Sequence, residues 1–134
     1  MIQSVKLGKE FVVVSENKVG VLSKVAALLA DHGIDMVAIS AQAAGGVALM
    51  NFVTDETLRT RDLLAKKGWK AQENTVLLLE IVDRPGVLMR ITRKLAAKKI
   101  NILNIYGSAP TSYGMCTLVI VTDNSQKALV ALQR

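Results

Sequence analysis

The chain contains the same sequence pattern twice. Residues 17–36 read NKVGVLSKVAALLADHGIDM, and residues 83–102 read DRPGVLMRITRKLAAKKINI. Gly20 aligns with Gly86, which gives an offset of 66 residues between the two copies. A repeat of this length indicates duplicated structural units. Two such units packed about a pseudo-two-fold axis would create paired, nearly equivalent sites along the seam where they meet.

Length and composition limit what these copies can be. A unit of about half of the 134 residues buries only a modest core, so the 51% of hydrophobic residues is expected to serve two cores and a seam. No apolar run is long enough to cross a membrane, and the N-terminus lacks the apolar stretch of a signal peptide. The single cysteine, Cys116, suits a reducing compartment. We therefore expect a cytoplasmic protein without a membrane partner.

The net charge of +6 is unevenly distributed. Residues 1–66 carry seven basic and seven acidic side chains, whereas residues 67–134 carry ten and four. Much of the excess lies between Arg90 and Lys99, at spacings that place it along the outer face of a helix. This face is either simply solvated or a contact for nucleic acid or an acidic partner. No DNA-binding motif or aromatic stacking strand accompanies it, so nucleic acid is not the partner that we expect.

Each copy reads as strand, helix, strand, strand, helix. In the first copy the strands are expected at 11–14, 34–41 and 47–54, and the first helix ends at Gly33. Asp55 and Thr57 are candidate caps for the second helix, which should end near Gly68. The pair Thr54-Asp55 recurs as Thr122-Asp123.

The second copy follows the same order from residue 75 onward. Pro85 and Gly86 are expected to open its first helix, with proline in the first turn. Strands are expected at 100–108 and 115–122. Asn124 or Ser125 would cap the final helix.

This order predicts an α+β fold of two ferredoxin-like βαββαβ units, which form an antiparallel sheet with helices on one face. The predicted units are residues 1–68 and 69–134. Residues 69–72 could supply the fourth strand of the first unit, but nothing follows the last helix of the second. Either the leading strand 2–7 crosses to complete the second unit, or each unit takes its own leading strand as a hairpin. A chain truncated at its C-terminus would be a third explanation.

The segment from Asp83 to Leu88 and the hydrophobic pattern that follows it resemble the ACT domain, a ferredoxin-like regulatory module that binds amino acids or other small ligands. The segment from Asn17 to Leu22 is a second copy, with Val19 where the family usually has proline. The tandem order with a strand ahead of it resembles the regulatory tail of aspartokinases, here without a kinase domain.

The resemblance implies a ligand site in which the turn residue of one unit and the residue that opens the second strand of its neighbour hold the ligand across the seam. The helix N-terminus after the turn can bind a carboxylate, and glycine there permits close approach. The positions that match are Asn17, Val19, Gly20, Val21, Leu22, Asp35, Asp83, Pro85, Gly86, Val87, Leu88 and Asn101.

If the copies pack side by side, one site pairs Asn17 with Asn101 and the other pairs Asp83 with Asp35. The first is neutral and suits a zwitterion, whereas the second carries two carboxylates and favours a cationic group or stays empty. The alternative is structural: Asn17 and Asp83 cap their helices, and the other two residues are solvated strand ends.

We interpret the chain as a non-enzymatic regulator that binds an amino acid or similar ligand, without cofactor or metal. One histidine, His32, cannot supply a catalytic triad or a metal cluster. A homodimer is expected, because a second chain would cover exposed sheet edges. A partner enzyme or regulator would receive the signal in trans. The alternatives are a protein–protein interaction module without a ligand, and a nucleic-acid-linked regulator that uses the basic helix 90–99.

Overall fold

The order of strands and helices repeats just as the sequence does. The computed structural model describes residues 2–133. Its ten elements are β1 (Ile2–Glu16), α1 (Val21–Asp31), β2 (Met36–Ala44), β3 (Val47–Thr54), α2 (Thr57–Lys66), β4 (Ala71–Val82), α3 (Val87–Ala97), β5 (Ile102–Gly107), β6 (Met115–Thr122) and α4 (Ser125–Leu132). They form two units: the first unit, residues 9–74, and the second unit, residues 2–8 with 75–133.

The first unit has the strand order β2-β3-β1-β4, to which β1 and β4 contribute the parts that lie within residues 9–74. Its strands are antiparallel where β3 pairs with β1 and with β2, so that Phe52 lies opposite both Phe11 and Ile39. The rings of Phe11 and Phe52 stack with centroids 5.8 Å apart. Helices α1 and α2 add Val25, Leu29, Leu63 and Leu64 to the same core.

The second unit repeats this arrangement with the strand order β1-β4-β6-β5. Strand β6 pairs antiparallel with β4 and β5, and Ile120 lies opposite both Leu77 and Ile105. Helix α3 places its buried residues at helical spacing on this sheet, as does α4. The core of the second unit consists of Leu77, Leu79, Ile81, Val87, Ile91, Leu95, Ile100, Leu118, Ile120, Ala128 and Leu132.

The predicted fold class is confirmed: both units are ferredoxin-like, and together they form an antiparallel α+β protein. The leading strand lies in the second unit, where Ile2, Val5 and Leu7 pack against its core. Strand β1 is continuous from residue 2 to 16, and β4 from 71 to 82, whereas the sequence pattern predicted shorter, separate strands. Residues 71–74 group with the first unit.

Close packing at Gly8 leads to a first prediction. A Cβ added to Gly8 would lie 2.4 Å from Cδ1 of Leu78, whereas one added to Gly107 would make only ordinary contacts at 3.6 Å and beyond. Neither glycine has a positive φ. We expect Gly8→Ala to destabilise the second unit by about 1 kcal/mol, because the half-buried side chain of Leu78 must shift to admit the added Cβ, and Gly107→Ala to cost less. Urea unfolding gives the free energy of unfolding of both variants. An equal loss of stability in the two would contradict the steric explanation.

Candidate functional site

Both units contain a glycine turn between their first long strand and first helix. Gly20 and Gly86 have φ angles of +87° and +93° and form the residues immediately before α1 and α3. This left-handed conformation is unfavourable for residues with a Cβ. A Cβ on either glycine would meet no heavy atom within 4 Å, so the turn faces open space. The glycines are therefore required by the backbone angle, and the space beside them is large enough for a ligand group to approach.

Neither helix has a side-chain cap at its N-terminus among the described residues. The first helical N–H groups, those of Val21 and Val87, donate to backbone carbonyls two residues before each glycine at 3.3 and 3.4 Å. The alternative in which Asn17 and Asp83 cap these helices is therefore wrong. Pro85 does not lie in the first turn of α3, because the helix begins at Val87. Uncapped N-termini retain N–H groups and a positive dipole end that favour an anion.

The turn residues attach each glycine turn to the tip of the neighbouring hairpin. The Nδ2 of Asn17 donates to the carbonyl of Gly45 at 3.2 Å, and its backbone N–H donates to Gly46 at 2.9 Å. In the second unit the backbone N–H of Asp83 donates to the carbonyl of Gly114 at 2.7 Å. Both turns are thus anchored in the same way. Asn17 still has Oδ1 as an acceptor that an ammonium group can use.

Asp35 and Asn101 are exposed and are held by a pair of aspartates that the sequence analysis did not recognise. The backbone N–H of Asp35 donates to Oδ1 of Asp55 at 3.0 Å, and that of Asn101 donates to Oδ1 of Asp123 at 3.1 Å. Each aspartate returns a backbone hydrogen bond at 3.1 Å. The Thr-Asp pair that recurs in both copies is the feature of the sequence that could have identified these two aspartates.

The predicted N-cap residues of α2 and α4 are confirmed for α4 and wrong for α2. Asp55 does not cap α2, and neither does Thr57, which is the first helical residue; the N-cap position is Glu56, without a side-chain cap. In the second unit Oδ1 of Asn124 accepts from the backbone N–H of Lys127 at 3.0 Å, so the predicted cap of α4 is present.

Within one unit, the glycine turn and the strand opening do not come together. Gly20 precedes α1 and Asp35 follows it, so they lie at opposite ends of an 11-residue helix, about 16 Å long. Gly86 and Asn101 are separated in the same way by α3. A ligand of amino acid size cannot contact both positions of one unit. The pairing of Asn17 with Asn101, and of Asp83 with Asp35, remains a prediction.

The first unit has a cavity of about 250 Å³ beside its glycine turn. Val19 and Val21, both predicted site residues, line it together with Trp69, and Val19 is fully exposed. Its charged lining consists of one carboxylate, Glu16, and two lysines, Lys18 and Lys24. The Nζ of Lys18 lies 2.9 Å from Oε2 of Glu16. The cavity therefore presents both signs of charge beside an aromatic wall.

His32 and Cys116 have the most reactive kinds of side chain, but their contacts indicate structural roles. Nδ1 of His32 donates to the carbonyl of Leu28 at 2.9 Å at the end of α1. Partial burial raises the pKa of the Cys116 thiol, and the nearby carboxylates of Asp83 and Glu80 raise it further. Cys116 thus remains protonated and is a poor nucleophile near neutral pH.

Within residues 2–133, no group of three or more His, Cys, Asp or Glu side chains could hold a metal ion. None of the described helices is long and apolar enough to cross a membrane.

The glycine turn allows a matched test of backbone strain. We expect Gly20→Ala to destabilise the first unit by about 1–2 kcal/mol, because alanine is strained at positive φ. Gly46→Ala is the control: its added Cβ would also meet open space, but Gly46 has no positive φ. Thermal unfolding measures both, and an equal loss of stability in the two variants would contradict the role of the φ angle.

Each unit is therefore a ferredoxin-like domain with an open glycine turn before its first helix. The sequence matches the family described as ACT domain pair over residues 7–133. The chain belongs to this family, and the predicted resemblance is confirmed. A comparison with curated proteins finds no match.

Solved structures share this fold at low sequence identity. Protein BT0572 from Bacteroides thetaiotaomicron is 20% identical, with a TM-score of 0.86 over 96% of this chain and 88% of that one. The ligand-free regulatory subunit of aspartate kinase from Thermus thermophilus is 21% identical, with a TM-score of 0.69 over 98% and 96%. A structure of aspartokinase alpha and beta subunits is 21% identical, with a TM-score of 0.66 over 99% and 97%. At these identities the likeness shows the fold.

Proposed function

We propose that this protein is a non-enzymatic, cytoplasmic regulator that binds an amino acid at the glycine turn of its first unit. The observation that carries the proposal is the cavity of about 250 Å³ beside that turn, because it combines both signs of charge with an aromatic wall. A free amino acid carries a carboxylate and an ammonium group close together. Glu16 offers a partner for the ammonium group, and Lys24 offers one for the carboxylate.

The backbone supports the same ligand. The N-terminus of α1 has no side-chain cap, so its N–H groups and positive dipole end favour the ligand carboxylate. Oδ1 of Asn17 provides a further acceptor for the ammonium group. In the second unit the residues that align with Glu16 and Lys24 are Val82 and Arg90, which lack the acidic partner. The first unit is therefore the better candidate for a zwitterion.

A thermal-shift screen of the twenty amino acids tests this proposal. A ligand that binds only the folded state raises the melting temperature. We expect one amino acid, or one chemical class, to do so with the wild type, and we expect Glu16→Gln and Lys24→Gln to lose most of the shift. Lys66→Gln removes an exposed lysine of the same unit at the end of α2 and should keep it. A screen without any shift would overturn the proposal and favour a protein–protein interaction module.

The seam is tested by a separate pair of variants. If Asn17 and Asn101 hold one ligand across two units, Asn17→Ala and Asn101→Ala should each weaken binding, and the double variant should weaken it less than additively. If Asn101→Ala leaves binding unchanged, the site lies within one unit and the seam pairing is wrong.

We further propose that the protein acts as a homodimer that signals to a partner enzyme or regulator in trans. The edge strand β2 of the first unit exposes 36% of Ile39, and the edge strand β5 of the second exposes 60% of Leu103. Apolar side chains on an exposed edge favour coverage by another chain. Light scattering should give twice the monomer mass, and Leu103→Lys should reduce that mass. A monomer at all concentrations would contradict the dimer.

A further inference from the structure

The second unit has a cavity of about 450 Å³, which shares no described lining residue with the cavity of the first unit. It is bounded by the start of β1, by α3 and by the end of α4. Helix α3 contributes Val87, Arg90, Ile91 and Lys94, a spacing that places all four on one helical face. All of its described lining residues belong to the second unit.

The inner part of this cavity is apolar. Val87, Ile91 and Leu132 line it, and each is at most 3% exposed. Val5 of the leading strand also lines the cavity and packs against the same core. The apolar surface that a short aliphatic group can cover with a gain in free energy belongs to Ile2 and Val5, which line the same cavity and are only half-buried.

The described charged residues of the lining have one sign. Arg90 and Lys94 stand one helical turn apart, and none of the described lining residues is acidic. Both cations already take part in interactions within the structure, so a ligand would join or exchange with these. The apolar side chains beside Arg90 and Lys94 form a low-dielectric wall, which strengthens the electrostatic potential of the two cations in the cavity.

We propose that this cavity binds a short aliphatic carboxylic acid that carries no amino group. The carboxylate would contact Arg90, whose planar guanidinium matches its geometry, and Lys94. The aliphatic chain would cover the half-buried side chains of Ile2 and Val5. An ammonium group would find no carboxylate partner among the described lining residues, so the preferred ligand differs in class from the zwitterion proposed for the first unit. The volume lies within the range of small-molecule sites.

An NMR titration of the ¹⁵N-labelled full chain tests the proposal with probes of matched chain length. Hexanoate should shift the amide signals of α3 and of residues 2–5. Hexanol, which lacks the charge, and 2-aminohexanoate, which adds an ammonium group, should bind at least tenfold more weakly. Inorganic phosphate, which lacks the chain, should also bind at least tenfold more weakly. Equal binding of hexanol would overturn the role of the cations, and equal binding of phosphate would overturn the role of the apolar surface.

Charge variants on one helix supply the second test. Arg90→Gln and Lys94→Gln should each weaken hexanoate binding about tenfold, as expected for one lost charge-assisted contact. Arg93→Gln removes an exposed arginine of α3 that is not among the described lining residues, and it should leave the affinity unchanged. An equal loss in all three variants would show a general charge effect and would overturn the site. Lys24→Gln, which tests the amino acid site, should not change hexanoate binding, so the two proposals can fail independently.

Discussion

Leu7→Asp should destabilise the second unit by about 2–4 kcal/mol and leave the first unit nearly unchanged. Leu7 lies in the leading part of β1 and packs against the core of the second unit. A carboxylate at this partly buried position loses hydration among apolar side chains. The first unit uses only residues 9–16 of the same strand, so its described core contains no side chain that precedes Gly8.

Amide hydrogen exchange is the measurement that separates the two units, because it reports the opening of each one residue by residue. Exchange should accelerate at Leu77, Leu79 and Ile120, and remain slow at Phe11 and Phe52. Ser4→Asp adds the same charge at an exposed neighbour on the same strand and should have a much smaller effect. Faster exchange in residues 9–74 alone would show that the leading strand belongs to the first unit.

This test addresses what the sequence could not decide. The repeat and its apolar spacing predict the helices, the hairpins and the ferredoxin-like fold, because helical and strand periodicities differ clearly. They do not assign Ile2, Val5 and Leu7, because either unit offers an edge position that accepts an apolar strand. The choice depends on the continuity of β1 through Gly8, where a glycine accommodates Leu78. Such a contact between distant residues leaves no local pattern.

The candidate site was predictable only in part for a similar reason. A glycine before a helical pattern predicts the turn, and Gly20 and Gly86 both form it. The glycine also occupies the N-cap position, which is why Asn17 contacts the hairpin and does not cap α1. Trp69 reaches the cavity beside the turn from a position far along the chain. Its sequence neighbours carry no sign of that contact.

Glu10 is the most unusual residue of the first unit, since it is a carboxylate with no exposed surface. Two amide side chains donate to it: Nδ2 of Asn51 to Oε1 at 3.3 Å, and Nδ2 of Asn74 to Oε2 at 3.0 Å. These asparagines lie on β3 and β4, the strands on either side of β1. The carboxylate therefore joins three strands through side chains, and removing it would leave amide donors without their acceptor.

We expect Glu10→Ala to destabilise the first unit by about 2–5 kcal/mol, which combines the unsatisfied donors with the lost volume. Glu10→Gln should cost about 1–3 kcal/mol, because its amide nitrogen replaces one acceptor oxygen and meets an asparagine donor. Glu16→Gln removes a charge from the same strand, where Glu16 forms an exposed ion pair with Lys18, and it should change stability by less than about 1 kcal/mol. Urea unfolding measures all three variants. If Glu10→Gln were as stable as the wild type, the site would not require an acceptor at both oxygens, and the three-strand connection would not depend on the carboxylate.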